Sequence, residues 1–325
     1  MPEVLELYNG YEIPSLFYGT YNVVDEIVVG LDAAFAAGYR AIDTASYYHN
    51  ERRIGVALKM LLPKYSLGRQ EIFVTSKLPP KLYGSTAAIK ACHLSLSALE
   101  TGYIDLYMIH WPGNRGESAH KKPSDSQGHI KEIRRQAWQA LESMVINESP
   151  ASQELFERNT EDETTIVGSG TYRVVRSIGV CNFLPRHVEE MANYCTIPPA
   201  VIQYECHPFI GADTLEHPMR RLCTRLFPMK PIHFQAHSTL NGGSAELLTN
   251  DVLEQIATEM KRTIPQVAIR WSLQKGHSVV VKSTRPRHIL ENSRVFDWRL
   301  SNECMQRIDD LACNVRCCWD PSKVP

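Results

Sequence analysis

The sequence predicts an α/β barrel of eight parallel strands, each followed by helical sequence. Short apolar, β-branched runs alternate with longer amphipathic stretches along the chain. These runs are continuously hydrophobic, which is typical of parallel strands that are covered on both faces. A doubly wound open sheet is the alternative, but no GxGxxG motif follows the first strand, and Gly168-Ser169-Gly170 lacks the third glycine. We therefore expect residues 1–325 to form one barrel domain with a short N-terminal β-hairpin.

The predicted elements follow one another in a regular order. The eight strands are LFYGT (16–20), RAIDT (40–44), EIFVTSK (71–77), IDLYMIH (104–110), RSIGVC (176–181), AVIQY (200–204), IHFQA (232–236) and SVVVK (278–282). In the helical stretch 24–38, Val28, Leu31 and Phe35 recur at spacings of three and four residues. Segments 85–102 and 249–263 have similar patterns, and Thr249 or Asn250 is positioned to cap the second one.

One long interval separates the fourth and fifth predicted strands. His110 and Cys181, which end these strands, lie 71 residues apart, whereas Asp43, Lys77 and His110 follow one another at intervals of 34 and 33. The interval contains an acidic, Ser/Thr-rich stretch whose composition favours an exposed loop. We expect a surface insertion over 147–172, with a partner-binding arm as the alternative reading.

Composition excludes several classes of protein. The chain has 35 Lys plus Arg and 36 Asp plus Glu, a net charge of −1, which argues against nucleic acid as a partner. It has no apolar run of the length that a membrane helix needs and no signal-peptide pattern, so we expect a cytoplasmic protein without membrane association. The nine cysteines show no CxxC or zinc-site spacing, which favours free thiols and no metal.

Polar residues at the predicted strand ends suggest an active site. Barrel enzymes carry their chemistry at the C-terminal ends of the strands. The residues at these ends are Asp43, Lys77, His110, Asn182, Gln203 and Lys282, and Tyr48 follows the second strand. Charges there are costly unless they are paired, so we expect Asp43 to pair with Lys77. A nearby ammonium would lower the pKa of Tyr48 from about 10 and make it a general acid, while His110 orients a carbonyl oxygen and shares in the proton transfer.

Three segments resemble the catalytic segments of the aldo-keto reductases: GYRAIDTASYYHNE (38–51), VTSKL (74–78) and IDLYMIHWP (104–112). The resemblance continues in SIGVCNF (177–183), QYECHP (203–208) and KSTRPRHILENSRVF (282–296). It covers nearly all of the chain outside the insertion. Within the family, the chain is most similar to the aldose/aldehyde reductase and prostaglandin F synthase group.

The resemblance implies reduction of an aldehyde or ketone to an alcohol by hydride transfer from NADPH, in a monomer. It implies a catalytic tetrad of Asp43, Tyr48, Lys77 and His110, with Tyr48 protonating the substrate oxygen. The substrate, a small carbonyl compound, would then contact Tyr21, Tyr47, Tyr48, His110 and Trp111.

The resemblance also implies a set of residues that bind NADPH. They are Thr20, Tyr21, Asp43, Asn182, Gln203, His237, Ser238, Leu240, Lys282, Ser283, Thr284, Arg285, His288, Glu291 and Asn292. Two of them depart from the family pattern. His237 replaces the aromatic residue that stacks on the nicotinamide, and His288 replaces an arginine that contacts the adenosine phosphate, where a guanidinium has fixed bidentate geometry.

Two other functions are alternatives. A regulatory or structural protein that binds nicotinamide cofactors on the same fold, with weak or no catalysis, is the alternative that the altered residue 237 and the insertion favour. A metal-dependent barrel hydrolase is disfavoured, because neither an HxH pair nor a carboxylate cluster lies at the predicted strand ends.

Overall fold

A closed barrel of parallel strands forms the centre of the protein. The computed structural model describes residues 3–113, 123–146, 174–210 and 215–325. Within these ranges, eight parallel strands close the barrel, and an antiparallel hairpin of β1 (Val4–Glu6) and β2 (Glu12–Pro14) precedes it. The barrel strands are β3 (Leu16–Gly19), β4 (Ala41–Asp43), β5 (Phe73–Leu78), β6 (Ile104–Ile109), β7 (Val175–Cys181), β8 (Val201–Glu205), β9 (His233–His237) and β10 (Ser278–Val281). The predicted fold class is confirmed.

Each predicted apolar run overlaps one barrel strand, with ends that differ by one or two residues, and each strand pairs with the next one along the chain until β10 closes against β3. Every residue of β5 and β6 is buried. Successive side chains of a strand point to opposite faces, so one half of them fills the barrel and the other half packs against helices. This burial on both faces explains why the strands are continuously hydrophobic in the sequence.

Helices cover the outside of the barrel. In the described ranges they are α1 (Ile27–Ala36), α2 (Glu51–Lys64), α3 (Ser85–Leu99), α4 (Pro123–Ser143), α5 (Pro185–Met191), α6 (Glu216–Leu226), α7 (Ala245–Leu248), α8 (Asp251–Met260), α9 (Ile264–Gln274), α10 (Pro286–Ser293) and α11 (Asn302–Asp309). The three predicted helical segments form α1, α3 and α8.

All three predicted helices end earlier than their sequence pattern, and two of them end at a left-handed residue. Helix α3 stops at Leu99 because Glu100 adopts the left-handed conformation at φ 53°. Helix α8 stops before Lys261, which also lies in the left-handed region at φ 54°. At the start of α8, the Asn250 side chain accepts hydrogen bonds from the amides of Val252 and Leu253, so Asn250 rather than Thr249 is the cap.

The hairpin closes one end of the barrel. Leu7 and Ile13 are almost fully buried, and they pack with residues of the barrel interior such as Phe17, Phe73 and Met108. The hairpin leads directly into β3, so it covers the end at which the parallel strands begin. The polar site is therefore at the opposite end, where the strands finish.

Two further expectations from the sequence concern the insertion and membrane-spanning helices. The predicted insertion at 147–172 lies outside the described residues. Among the helices that the structure describes, none combines the length and apolar character needed to span a bilayer.

Candidate active site

The parallel strands bring the predicted polar residues to one end of the barrel. Each of these residues lies among the last three residues of a strand or directly follows a strand. They are Asp43, Lys77, His110, Asn182, Gln203, His237 and Lys282. Because all eight strands run in the same direction, residues that are 239 positions apart in the chain reach the same face.

A buried ion pair lies at the centre of this face. Lys77 Nζ is 2.5 Å from Asp43 Oδ1, and the two residues are 1% and 3% exposed. Gln203 Nε2 donates to the other carboxylate oxygen at 2.8 Å, and its second hydrogen goes to Gln235 Oε1. The carboxylate is thus held by two neighbours, which is the condition under which a buried charge is tolerated. The pairing expected from the sequence is confirmed.

The Tyr48 hydroxyl is next to this pair. It accepts a hydrogen bond of 3.5 Å from Lys77 Nζ. Burial raises the pKa of Tyr48 above its ordinary value, and this effect outweighs the lowering by the Lys77 ammonium. The predicted net lowering of the Tyr48 pKa was therefore wrong, although the predicted influence of Lys77 has the expected sign. At neutral pH the hydroxyl keeps its proton, as a proton donor must.

Lys77 itself stays charged. Burial alone would lower its pKa, but the Asp43 carboxylate and Tyr48 raise the pKa of Lys77 above its usual value. The ammonium is thus positioned to stabilise negative charge that develops on the Tyr48 oxygen.

His110 lies on the other side of Tyr48. Their rings meet edge to face with centroids 5.7 Å apart. Burial, then Lys77 and His237, lower the pKa of His110 well below its usual range. The imidazole is therefore neutral at physiological pH. It is suited to orienting an oxygen by a hydrogen bond, and it carries no extra proton to donate.

Aromatic rings surround the Tyr48–His110 pair. The ring of Tyr21 is 5.1 Å from that of Tyr48, and the ring of Trp111 is 6.2 Å from that of His110. Trp319, which the sequence reasoning missed, lies 4.7 Å from Trp111. Tyr47 differs from these residues, because it is 59% exposed and its ring faces His49.

The predicted nicotinamide-binding side chains form one hydrogen-bonded group. Asn182 Nδ2 donates to the His110 carbonyl at 3.1 Å, and His237 Nε2 donates to Asn182 Oδ1 at 2.9 Å. Ser238 Oγ lies 3.0 Å from His237 Nδ1. Burial alone lowers the pKa of His237, but hydrogen bonds with the Cys181 and Cys318 thiols raise it to about 10. A protonated ring fits the two hydrogen bonds that His237 makes.

This group fits a carboxamide. Asn182 Oδ1 and Gln203 Oε1 each accept one hydrogen bond, from His237 and from the Cys181 thiol, and an amide oxygen has a second lone pair. Both oxygens are therefore available to the NH₂ group of a nicotinamide. Thr20 holds the backbone of Asp43 in place, because its amide and hydroxyl both donate to the Asp43 carbonyl at 3.0 Å.

A second cluster, with positive charge, follows β10. Lys282 and Arg285 are exposed, and no ion-pair partner is present for either side chain in the described part of the chain. Arg285 caps the N-terminus of α10, and the Ser283 hydroxyl accepts its amide at 3.1 Å. Unpaired cations beside a helix N-terminus fit the phosphates of NADPH. Thr284 and His288 are half-buried in the same segment.

The remaining predicted cofactor residues lie away from the tetrad. Glu291 accepts a hydrogen bond of 2.9 Å from the Thr263 hydroxyl, and Asn292 is 3% exposed on the same helix, α10. Leu240 packs against the main hydrophobic core. Hydrogen bonds thus join the tetrad directly to Asn182 and Gln203, whereas Glu291, Asn292 and Leu240 have other neighbours.

The C-terminal tail contributes the residues that sequence reasoning did not assign to the site. Cys318 Sγ is 3.4 Å from Ser238 Oγ, and the Trp319 ring packs against the Trp111 ring at an angle of 50°. Glu205, at the end of β8, accepts the amides of Cys317 and Cys318 at 2.6 and 3.2 Å. The one available signal was the strand-end position of Glu205, because nothing in the pattern of residues 313–320 predicts where they fold back.

The protein is a closed parallel barrel in which Tyr48, Lys77 and Asp43 lie together at the C-terminal ends of the strands. The profile of the Aldo/keto reductase family matches residues 16–148 and 169–312, and the chain belongs to this family. Its members are NADP-dependent oxidoreductases that act on aldehydes and ketones.

Similar proteins agree with this assignment. Aldose reductase B of Dictyostelium discoideum is 32% identical over 318 residues, with 95% of this chain and 92% of the relative covered. The 9,11-endoperoxide prostaglandin H2 reductase of Trypanosoma cruzi is 34% identical over 318 residues, covering 97% and 93%. Among solved structures, MGS-M4, an aldo-keto reductase enzyme from a Medee basin deep-sea metagenome library, has a TM-score of 0.76 at 29% identity, covering 99% and 100%.

Proposed function

We propose that this protein reduces aldehydes and ketones to alcohols with NADPH, and that Tyr48 is the proton donor. The observation that carries the proposal is the contact of 3.5 Å between the Tyr48 hydroxyl and Lys77 Nζ, which Asp43 holds from the other side. When bound, the cofactor supplies the hydride that reaches the carbonyl carbon.

Each member of the tetrad has a distinct role in this proposal. Neutral His110 orients the carbonyl oxygen by a hydrogen bond next to the Tyr48 hydroxyl. Tyr48 gives its proton to this oxygen as negative charge develops there, and the Lys77 ammonium stabilises the phenolate that is left. Asp43 keeps Lys77 charged and fixed in place. The raised pKa of Tyr48 keeps its hydroxyl protonated at neutral pH, which is the form that reduction of a carbonyl needs.

The rings near Tyr48 support aromatic carbonyl compounds as substrates. Tyr21, Trp111 and Trp319 offer flat apolar surfaces close to the reacting oxygen. Lys282 and Arg285, which have no ion-pair partner among the residues that the structure describes, support NADPH over NADH, because they are placed to neutralise an additional phosphate. All nine cysteines lie in the described ranges and are free thiols, which supports the cytoplasm as the location. A monomeric state stays a prediction.

The test is turnover by the purified full-length protein with NADPH and either 4-nitrobenzaldehyde or 9,10-phenanthrenequinone. We expect the nicotinamide absorbance to fall only when protein, cofactor and carbonyl compound are all present. Cofactor binding without turnover across a broad panel of carbonyl compounds would contradict the proposal. That result would favour the regulatory or structural alternative.

A further inference from the structure

A cluster of metal-binding side chains lies beside the candidate cofactor site, between the end of β8 and the C-terminal tail. Glu205, His207 and Cys317 each offer one ligand atom, and these atoms all lie within 4.8 Å of one another. Glu205 and His207 are 2% and 0% exposed, whereas Cys317 is exposed. The cluster thus has buried ligands on the barrel and an accessible thiol on the tail.

The ligand types and their spacing suit a borderline-soft divalent cation. Zn²⁺ binds thiolate, imidazole and carboxylate ligands in a tetrahedron, and its ligand atoms then lie about 3.5 Å apart. His207 Nε2 is 3.2 Å from Glu205 Oε1, close to this spacing. A second thiol, Cys318 Sγ, lies 3.9 Å from Cys317 Sγ but is outside the group of three mutually close ligand atoms.

The protein prepares two of the ligands for a cation. Glu205 Oε1 lies 3.2 Å from His207 Nε2 and accepts the amides of Cys317 and Cys318, so this carboxylate already joins the end of β8 to the tail. His207 Nδ1 is buried and has no hydrogen-bond partner in the described residues. The other ring nitrogen, Nε2, is the atom that faces Glu205 and would be the ligand to the cation.

A second group of potential ligands is less suitable. Cys206, Glu216 and His277 also lie within 4.8 Å of one another, but all three are buried. Glu216 Oε1 already accepts Arg220 Nε at 2.9 Å and faces His277 Nε2 at 3.2 Å. The guanidinium occupies the carboxylate that a metal would need, and no ligand of this group is exposed to admit an ion.

One positive charge competes with a cation at the first cluster. Arg316 Nη1 lies 3.5 Å from Glu205 Oε2, on the carboxylate oxygen that does not face His207. The guanidinium is partly exposed, so it is able to move away when a cation binds. This competition gives the site a property that a nonspecific surface thiol lacks: removal of Arg316 should tighten binding.

We propose that Glu205, His207 and Cys317 bind a Zn²⁺-like divalent cation that ties the C-terminal tail to the end of β8. The bound ion lies next to the candidate cofactor site, since Cys318 Sγ is 3.4 Å from Ser238 Oγ. Binding displaces the thiol proton of Cys317 to solvent and needs no oxidant or reductant.

The test is direct binding of Zn²⁺ to the full-length, reduced protein, measured by equilibrium dialysis with metal analysis. Cd²⁺ in place of Zn²⁺ reports thiolate ligation by its ultraviolet charge-transfer band. We expect one tight equivalent in the wild type, at least about tenfold weaker binding in Cys317→Ser, and severalfold tighter binding in Arg316→Ala. Both positions are at the surface of the tail, so these variants should fold.

Cys313→Ser is the matched control, because Cys313 is an exposed thiol on the same tail outside the cluster. It should bind Zn²⁺ as the wild type does and keep the full Cd²⁺ band. Equal binding by the wild type and Cys317→Ser would overturn the proposal. So would an equal loss in Cys313→Ser, or unchanged binding in Arg316→Ala.

Discussion

Removing the charge of Lys77 should destabilise the fold as well as the active site. In Lys77→Met the side chain keeps most of its length, but the Asp43 carboxylate loses the ammonium at 2.5 Å and stays buried. The hydrogen bond from Gln203 to Asp43 is retained, so the change removes the charge pair together with the long contact of Lys77 with Tyr48.

The magnitude follows from the burial of both partners. Breaking a buried ion pair by removing one member costs about 3–5 kcal/mol, because the other charge is left uncompensated. With an unfolding entropy of about 2.1 cal/mol/K per residue, a chain of 325 residues should lose about 4–7 °C in Tm. Arg225→Met, which removes an exposed pair with Glu189, is the control and should cost about 1 kcal/mol or less.

The assay is a double-mutant cycle of Asp43→Asn and Lys77→Met, measured by urea and thermal unfolding. In Asp43→Asn the new side-chain amide oxygen still accepts the hydrogen bond from Gln203, and the double variant has no unpaired charge. We therefore expect the double variant to be more stable than the sum of the single losses implies, with a coupling energy of at least about 2 kcal/mol. Additive losses, or a Lys77→Met loss no larger than that of Arg225→Met, would refute the reasoning.

Three further predictions concern single residues. Since burial and Lys77 lower the pKa of His110, the pH profile of kcat/KM should show no ionisation of this residue between about pH 5.5 and 7.5, and a step there that His110→Gln removes would contradict its neutral state. Burial raises the folded-state pKa of Glu51 above the unfolded value of about 4.3, so its stabilising contribution is complete below that pH and is lost as the pH rises through the folded-state pKa. Thermal unfolding should therefore show Glu51→Gln gaining stability relative to the wild type between about pH 5 and pH 8, and a constant difference would show that Glu51 has no such shift. Lys282→Met should weaken NADPH binding about tenfold in fluorescence titrations and leave NADH binding unchanged, whereas an equal loss for both cofactors would exclude a contact with the additional phosphate.

The barrel was predictable because its strands have a strong local signal. The continuous apolar runs that form β5 and β6 reflect burial on both faces, which few other environments require. Strand order then places Asp43 beside Lys77 without any further information. Helix ends were less predictable, because the left-handed conformations of Glu100 and Lys261 depend on the packing around them.

The site was predictable in its residues and less so in its energetics. The sequence places a charge near Tyr48, but the pKa of the hydroxyl depends on how deeply the ring is buried, which only the packed structure provides. The same limit applies to the tail. Trp319 and Cys318 reach Trp111 and Ser238 through chain folding over 80 residues or more, for which the local sequence has no signal.

The central claim, that Tyr48 is the proton donor, is tested most directly by Tyr48→Phe in single-turnover hydride transfer, with NADPH binding measured on the same protein. The substitution keeps the ring that packs against Tyr21 and His110 and removes only the hydroxyl. We expect NADPH affinity within about twofold of the wild type and a hydride-transfer rate at least about 10²-fold lower. A rate within about tenfold of the wild type, with the cofactor still bound, would contradict the account.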